Sequence, residues 1–149
     1  MSRTGTARRH AVQTIALVVA AVFTLVGVAG FIPGLTTNYD TLMFAGHESR
    51  AMLLGLFAVS VLHNVVHLAF GVAGFLLSRT ANGAYWYLVG GGAVYLVLFV
   101  YGLIVDHGSD ANFVPVNPAD NWLHLLLGVA MVVLGLASGG GRHRTVRGN

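Results

Sequence analysis

The chain has no cysteine and no lysine, and only 9% of its 149 residues are charged. The absence of cysteine excludes disulfides, thiolate metal sites, iron–sulfur clusters and cysteine nucleophiles. The absence of lysine, with no strand to lead in, denies the glycine-rich runs a phosphate-loop role. Soluble domains carry about 25% charged residues, so this chain cannot build an ordinary water-facing surface. What it holds instead is apolar: 56% hydrophobic residues, with a mean hydropathy of +0.75. Its length allows one domain.

Four apolar runs account for most of the chain, near 11–32, 51–78, 85–105 and 118–138. Each approaches or exceeds the ~20 apolar residues that a membrane helix needs. Backbone groups in lipid must be satisfied internally, and the runs lack the alternation of barrel strands, so all four are expected to be helices. The second run is overlong, and its first part, 51–58, is expected to tilt or to lie along the outer interface. A soluble bundle would show polar helix faces, and these runs show none. The first run follows Arg3, Arg8 and Arg9; it is too long for a signal-peptide core and is expected to be retained.

Charge orients the expected bundle. Arg3, Arg8, Arg9, Arg79, Arg142, Arg144 and Arg147 fall on one side, and Arg50 alone falls on the other with Asp40, Glu48, Asp106, Asp110 and Asp120. Arginine excess marks the cytoplasmic side. The expectation is a multi-pass plasma-membrane protein with both termini inside and loops 34–50 and 106–117 outside. Residues 1–10 form a basic cytoplasmic tail, 11–138 the transmembrane domain and 139–149 a Gly/Arg-rich cytoplasmic tail. Tyr85, Trp86, Tyr87 and Trp122 suit interfacial belts. The basic tail lacks interleaved aromatics, so it reads as topology control and lipid attraction, with no nucleic-acid partner.

An internal repeat runs through the second and fourth segments. Residues 63–74 laid over 120–131 match at Asn64/Asn121, His67/His124, Leu68/Leu125, Gly71/Gly128, Val72/Val129 and Ala73/Ala130. A weaker match sets Ala21-Val22-Phe23 over Ala93-Val94-Tyr95. The expected fold is therefore an all-α, up-down bundle of four transmembrane helices, made from two duplicated hairpins. Helices 2 and 4 would lie diagonally across the bundle, with His67 and His124 facing one another. His63 and Asp120 sit four residues earlier on the same faces, ~6 Å along each axis.

The repeat thus proposes an intramembrane polar cluster of His63, Asn64, His67, Asp120, Asn121 and His124. Ionisable groups in a membrane usually face the bundle interior and are functional candidates. Three imidazoles (His63, His67 and His124) with Asp120 make a plausible first-row metal set, and opposed imidazoles suit a haem. The competing reading is interhelical hydrogen-bond glue. For Asp120 it is helix capping, because Asn117-Pro118-Ala119-Asp120 reads as an N-cap, a first-turn proline and an acid at the third position. The outer loops hold a second set: His47, Glu48, Asp106, His107 and Asp110. A solvated acidic rim explains it, and a weak cation site is the sharper alternative. Phe113, Val114 and Pro115 are expected to fold back over the bundle mouth. Ser60, three residues before His63, reads as a hydroxyl bonded to its own helix, so a nucleophilic enzyme has no real support. Gly27, Gly30, Gly71, Gly74 and the run Gly90-Gly91-Gly92 read as helix-packing positions.

Leu53-Leu54-Gly55-Leu56-Phe57, the stretch from Val59 to His67, Gly71-Val72-Ala73-Gly74, Asn112-Phe113-Val114-Pro115 and Asp120-Asn121-Trp122-Leu123-His124-Leu125 together carry a family resemblance. The chain resembles the actinobacterial small membrane proteins grouped as domain of unknown function 4383. The resemblance implies a four-helix integral membrane protein and supplies no reaction, ligand or catalytic residue. Three functional classes follow from the residues: a structural or partner-binding membrane protein, with a membrane partner or a second copy; a haem- or metal-binding protein using the cluster; and a small transporter or proton-linked permeability factor.

Overall fold

A computed structural model describes residues 10–139. The basic tails, with Arg3, Arg8, Arg9, Arg142, Arg144 and Arg147, lie outside the described residues. The described chain is mainly helical: α1 (Ala11–Ala29), α2 (Val61–Leu77), α3 (Ala81–Ile104) and α4 (Pro118–Gly139). Between α1 and α2 run three two-residue strands, β1 (Thr36–Thr37), β2 (Met52–Leu53) and β3 (Phe57–Ala58), with a 3-10 turn at Tyr39–Thr41.

Helix ends are set by side chains that answer the unpaired terminal backbone groups. Ser60 Oγ accepts from His63 N at 3.1 Å to start α2, and Thr80 Oγ1 accepts from Gly83 N at 3.0 Å to start α3. At α4 the cap is reciprocal: Asp120 N donates to Asn117 Oδ1 at 2.9 Å and Asn117 N donates to Asp120 Oδ2 at 3.0 Å. Gln13 Nε2 donates to the Ser78 and Arg79 carbonyls, both at 3.0 Å, tying the start of α1 to the end of α2.

The second apolar run is not one helix. Residues 51–58 neither extend α2 nor lie along an interface as helix; they form the β2–β3 hairpin. Leu54 (φ 53°) and Gly55 (φ 70°) both take the left-handed conformation that turns the chain back, which no α-helix tolerates. Met52 pairs with Ala58 and Leu53 with Phe57, and β1 adds on the far side with Thr36 opposite Leu53. The small antiparallel sheet has its own core of Ala51, Leu53 and Val59, packed against Val26 and Ala29 at the end of α1. It caps the end of the molecule where α2 and α4 begin.

α1 packs chiefly on α2 and α3 on α4, and the two pairs meet mainly where α1 crosses α3. The main core holds Val12, Ala16, Phe23, Ala84, Tyr87, Leu88, Tyr95 and Met131. Gly92 sits against Gly128, where a Cβ would meet the Gly128 carbonyl at 2.8 Å, so α3 and α4 touch backbone to backbone. Gly90 differs from the packing expectation, because nothing lies within 4 Å of where its Cβ would be.

The outer faces are as apolar as the interior. Leu25 (68% exposed), Val97 (68%), Ile104 (79%) and Leu126 (66%) stand outward on three helices. Such a surface suits hydrocarbon and is a liability in water. α1, α3 and 118–138 of α4 are long and apolar enough to cross a membrane, with mean hydropathies of 2.3, 2.0 and 1.8. α2 is equally apolar in kind but has only 17 residues.

Candidate functional site

The six residues of the proposed polar cluster occupy the first two turns of α2 and α4, below the capping sheet. All six are buried. His63 and His67 share one face of α2, with ring centroids 4.2 Å apart. His67 Nδ1 bonds the His63 carbonyl oxygen at 3.0 Å. A carbonyl can only accept, so this contact puts the His67 ring proton on Nδ1.

His67 and His124 both point into the protein, but each makes its ring contact with an aromatic side chain of the preceding helix. His67 lies on Phe23 at 5.6 Å and His124 on Tyr95 at 5.3 Å, while Phe23 and Tyr95 lie on each other at 5.2 Å. The result is a continuous ladder of four rings across the crossing of α1 and α3. Such tilted contacts are worth about 0.5–1.5 kcal/mol each beyond burial.

The asparagines are seated on glycine. A Cβ at Gly30 would fall 2.1 Å from Asn64 Oδ1, and a Cβ at Gly102 would fall 2.1 Å from Asn121 Oδ1. Only the lack of a side chain at each glycine leaves room for the amide. Asn64 also lies beside the His63 imidazole without closing a hydrogen bond of good geometry. Five polar atoms of the cluster have no hydrogen-bond partner: His63 Nδ1, Asn64 Nδ2, Asn64 Oδ1, Asn121 Oδ1 and His124 Nδ1. Unpaired buried polar atoms are uncommon, so their concentration at one level of an apolar bundle marks this place.

Asp120 has a different role from the imidazoles. Its Oδ2 accepts from Asn117 N and from Ala58 N, both at 3.0 Å, and Asn117 Nδ2 donates to the Leu56 carbonyl at 2.8 Å. The carboxylate caps α4 and clamps the β2–β3 hairpin onto it. The three-imidazole, one-carboxylate set is thus not assembled. Among the described residues no three His, Asp or Glu side chains are grouped to hold a metal ion.

The rim residues are dispersed in the same way. His47 pairs with Glu48 at 3.1 Å, and Arg50 approaches the same carboxylate at 4.0 Å. Asp106 Oδ1 accepts from Gly108 N at 3.0 Å to make its own turn. His107 Nε2 bonds the Gly102 carbonyl oxygen at 3.1 Å, and Asp110 is exposed. Of the expected apolar lid, Phe113 stays 57% exposed, Val114 is half-buried and only Pro115 turns inward. Ser60 is spent on capping α2 rather than on an imidazole.

Sequence reasoning did not identify Phe23 and Tyr95 as the partners of the histidines, nor Gly30 and Gly102 as the seats of the asparagines. One signal was present. The alignment that sets Phe23 over Tyr95 also sets Gly30 over Gly102, so helices 1 and 3 could have been read as the matching half of the cluster.

A family model described as "Domain of unknown function (DUF4383)" matches residues 13–137 of the chain. No curated protein and no solved structure matches it.

Proposed function

The chain belongs to the DUF4383 family, and from that premise we propose that it is a multi-pass plasma-membrane protein serving a structural or partner-binding role, its buried His/Asn cluster on α2 and α4 packing each of two duplicated helical hairpins, which meet through Phe23 and Tyr95. The observation that carries this reading is how the cluster is occupied. His67, His124, Asn64 and Asn121 are each matched to a ring or a glycine of their own hairpin, and among the described residues no three His, Asp or Glu side chains are grouped to hold a metal ion. The duplication is supported by equivalent contacts: Gly30–Asn64 answers Gly102–Asn121, and Phe23–His67 answers Tyr95–His124. Ser60 and Asn117 cap α2 and α4 at equivalent positions.

All four helices span in this reading, and both termini are cytoplasmic. Arg79 stands at the α2–α3 turn, while Asp40, Glu48, Asp106 and Asp110 stand in the loops at the capped end. α2 rises only roughly 25 Å, short of a hydrocarbon core of about 30 Å. The capping sheet and Ser60 would then sit in the interface, where a short helix is accommodated by local thinning. Against transport stands the packing on the other side of the cluster, where Phe23, Phe70 and Tyr95 fill the interior with mutual ring contacts.

One observation favours the ligand-holding alternative, a haem or first-row metal: the unpartnered Nδ1 atoms of His63 and His124. Elemental analysis and an absorption spectrum of protein purified in mild detergent separate the two readings, with His67→Ala and His124→Ala beside it. The structural reading expects no stoichiometric Fe, Zn or Cu and no haem band. Stoichiometric metal lost in both variants would overturn it and establish a shared site.

A further inference from the structure

A groove of about 430 Å³ opens between α2 and α3, lined chiefly by Val66, Phe70, Ala73, Leu77, Trp86 and Val94. It offers no charged side chain along its length. From Val66 to Leu77 it follows α2 for about 16 Å, roughly one leaflet of a 30 Å hydrocarbon core. Trp86, 59% exposed, stands at its end toward the α2–α3 turn, where an indole suits the headgroup level. Just beyond Leu77 is Arg79. It is exposed, it is the one charged side chain at that end among the described residues, and no acid there pairs with it. The turn carrying it is held by the two bonds from Gln13 to the Ser78 and Arg79 carbonyls.

We propose that this groove is a phospholipid site: an acyl chain lies along α2 and α3, and an anionic headgroup sits on Arg79. Apolar length, interfacial indole and cation follow one another in the order of the parts of a lipid. The proposal rests on the membrane reading above, and its test separates the two. A Trp122→Phe background leaves Trp86 as the one emitter, since the chain has two tryptophans. The protein is reconstituted into vesicles containing phosphatidylglycerol or phosphatidylcholine brominated in the acyl chains, and quenching of Trp86 is read. A single cation near an anionic lipid gives about a fivefold preference. The expected result is stronger quenching by the anionic lipid, by about that factor in relative affinity. Arg79→Gln should lower the preference by about that factor, with the basic tails unchanged in both proteins, and Ala73→Phe, which fills the groove, should lower quenching by both lipids. Equal quenching by the two lipids in the parent overturns the lipid site, as does a preference that Arg79→Gln leaves unchanged. Quenching unchanged in Ala73→Phe overturns it too. Protein that floats with the vesicles yet is shielded from both lipids overturns it in favour of a second copy covering the groove. Protein that fails to float with the vesicles overturns the membrane reading itself.

Discussion

The asparagine seats make the most demanding prediction. At Gly30 an added Cβ would lie 2.1 Å from Asn64 Oδ1, 2.4 Å from Cγ and 2.6 Å from Nδ2. The whole amide is in the way, and no small rotation clears it. Asn64 is 1% exposed, so the displaced side chain cannot swing out to the surface. Overpacking of this kind costs about 1–3 kcal/mol. At Gly102 the corresponding distances to Asn121 are 2.1, 2.7 and 3.3 Å, a looser fit, and Gly102 lies inside α3, where the better helix propensity of alanine offsets about 1 kcal/mol; Gly30 lies just past the end of α1 and gains no such offset. Gly30→Ala should therefore destabilise more, by about 1–3 kcal/mol against about 0–2 kcal/mol for Gly102→Ala. The decisive quantity is the coupling. Asn64→Ala removes the obstacle, so the Gly30→Ala/Asn64→Ala pair should recover most of the steric loss, a coupling of about 1–3 kcal/mol. Gly102→Ala/Asn121→Ala should behave alike, and the crossed pair Gly30→Ala/Asn121→Ala should be additive. Reversible denaturant unfolding in mixed micelles reads all of these. Coupling below about 0.5 kcal/mol in both matched pairs, or equal coupling in the crossed pair, would refute the seating of asparagine on glycine.

Two further predictions test the cap and the orientation. Asp120→Ala leaves the Ala58 and Asn117 N–H groups without their carboxylate acceptor, which should cost about 2–4 kcal/mol; Asp120→Asn, keeping an acceptor oxygen, should cost less, and equal losses in a thermal melt would refute the clamp. Because the chain has no cysteine of its own, Asp110→Cys and Arg79→Cys report sidedness directly. A membrane-impermeant maleimide on intact cells should label Asp110→Cys at once and Arg79→Cys only after lysis, and the reverse pattern would invert the topology.

How much of this was legible in the sequence depends on which physical signal each element carries. α1, α3 and α4 are long apolar runs, and hydropathy finds such runs to within a few residues at their ends. The β2–β3 hairpin is equally apolar, so hydropathy joins it to α2. What separates them is the left-handed Leu54-Gly55 turn and the cap at Ser60, and an apolar Leu-Gly pair does not announce a turn. The capping box at α4 was legible, because Asn117, Pro118 and Asp120 differ in kind from their surroundings and their spacing has one mechanical meaning. The inward aim of the histidines was legible from the repeat of α2 on α4, but their ring partners were not. Phe23 and Tyr95 are ordinary members of apolar runs, and only the crossing of α1 over α3 turns them into a ladder.

The polar cluster also sits in the first turns of two helices, α2 and α4, and this bears on what it could hold. Each N-terminus carries a partial positive charge from its unpaired N–H groups. α4 answers it with Asp120 in the first turn, but α2 has no acid in its first turn and relies on the neutral Ser60 hydroxyl. The field of the α2 N-terminus at His63 therefore disfavours an added cation, while Asp120 Oδ2 is held by Asn117 N and Ala58 N. The unpartnered atoms of His63, Asn64, Asn121 and His124 thus lie in a field that favours a neutral neighbour over a cation.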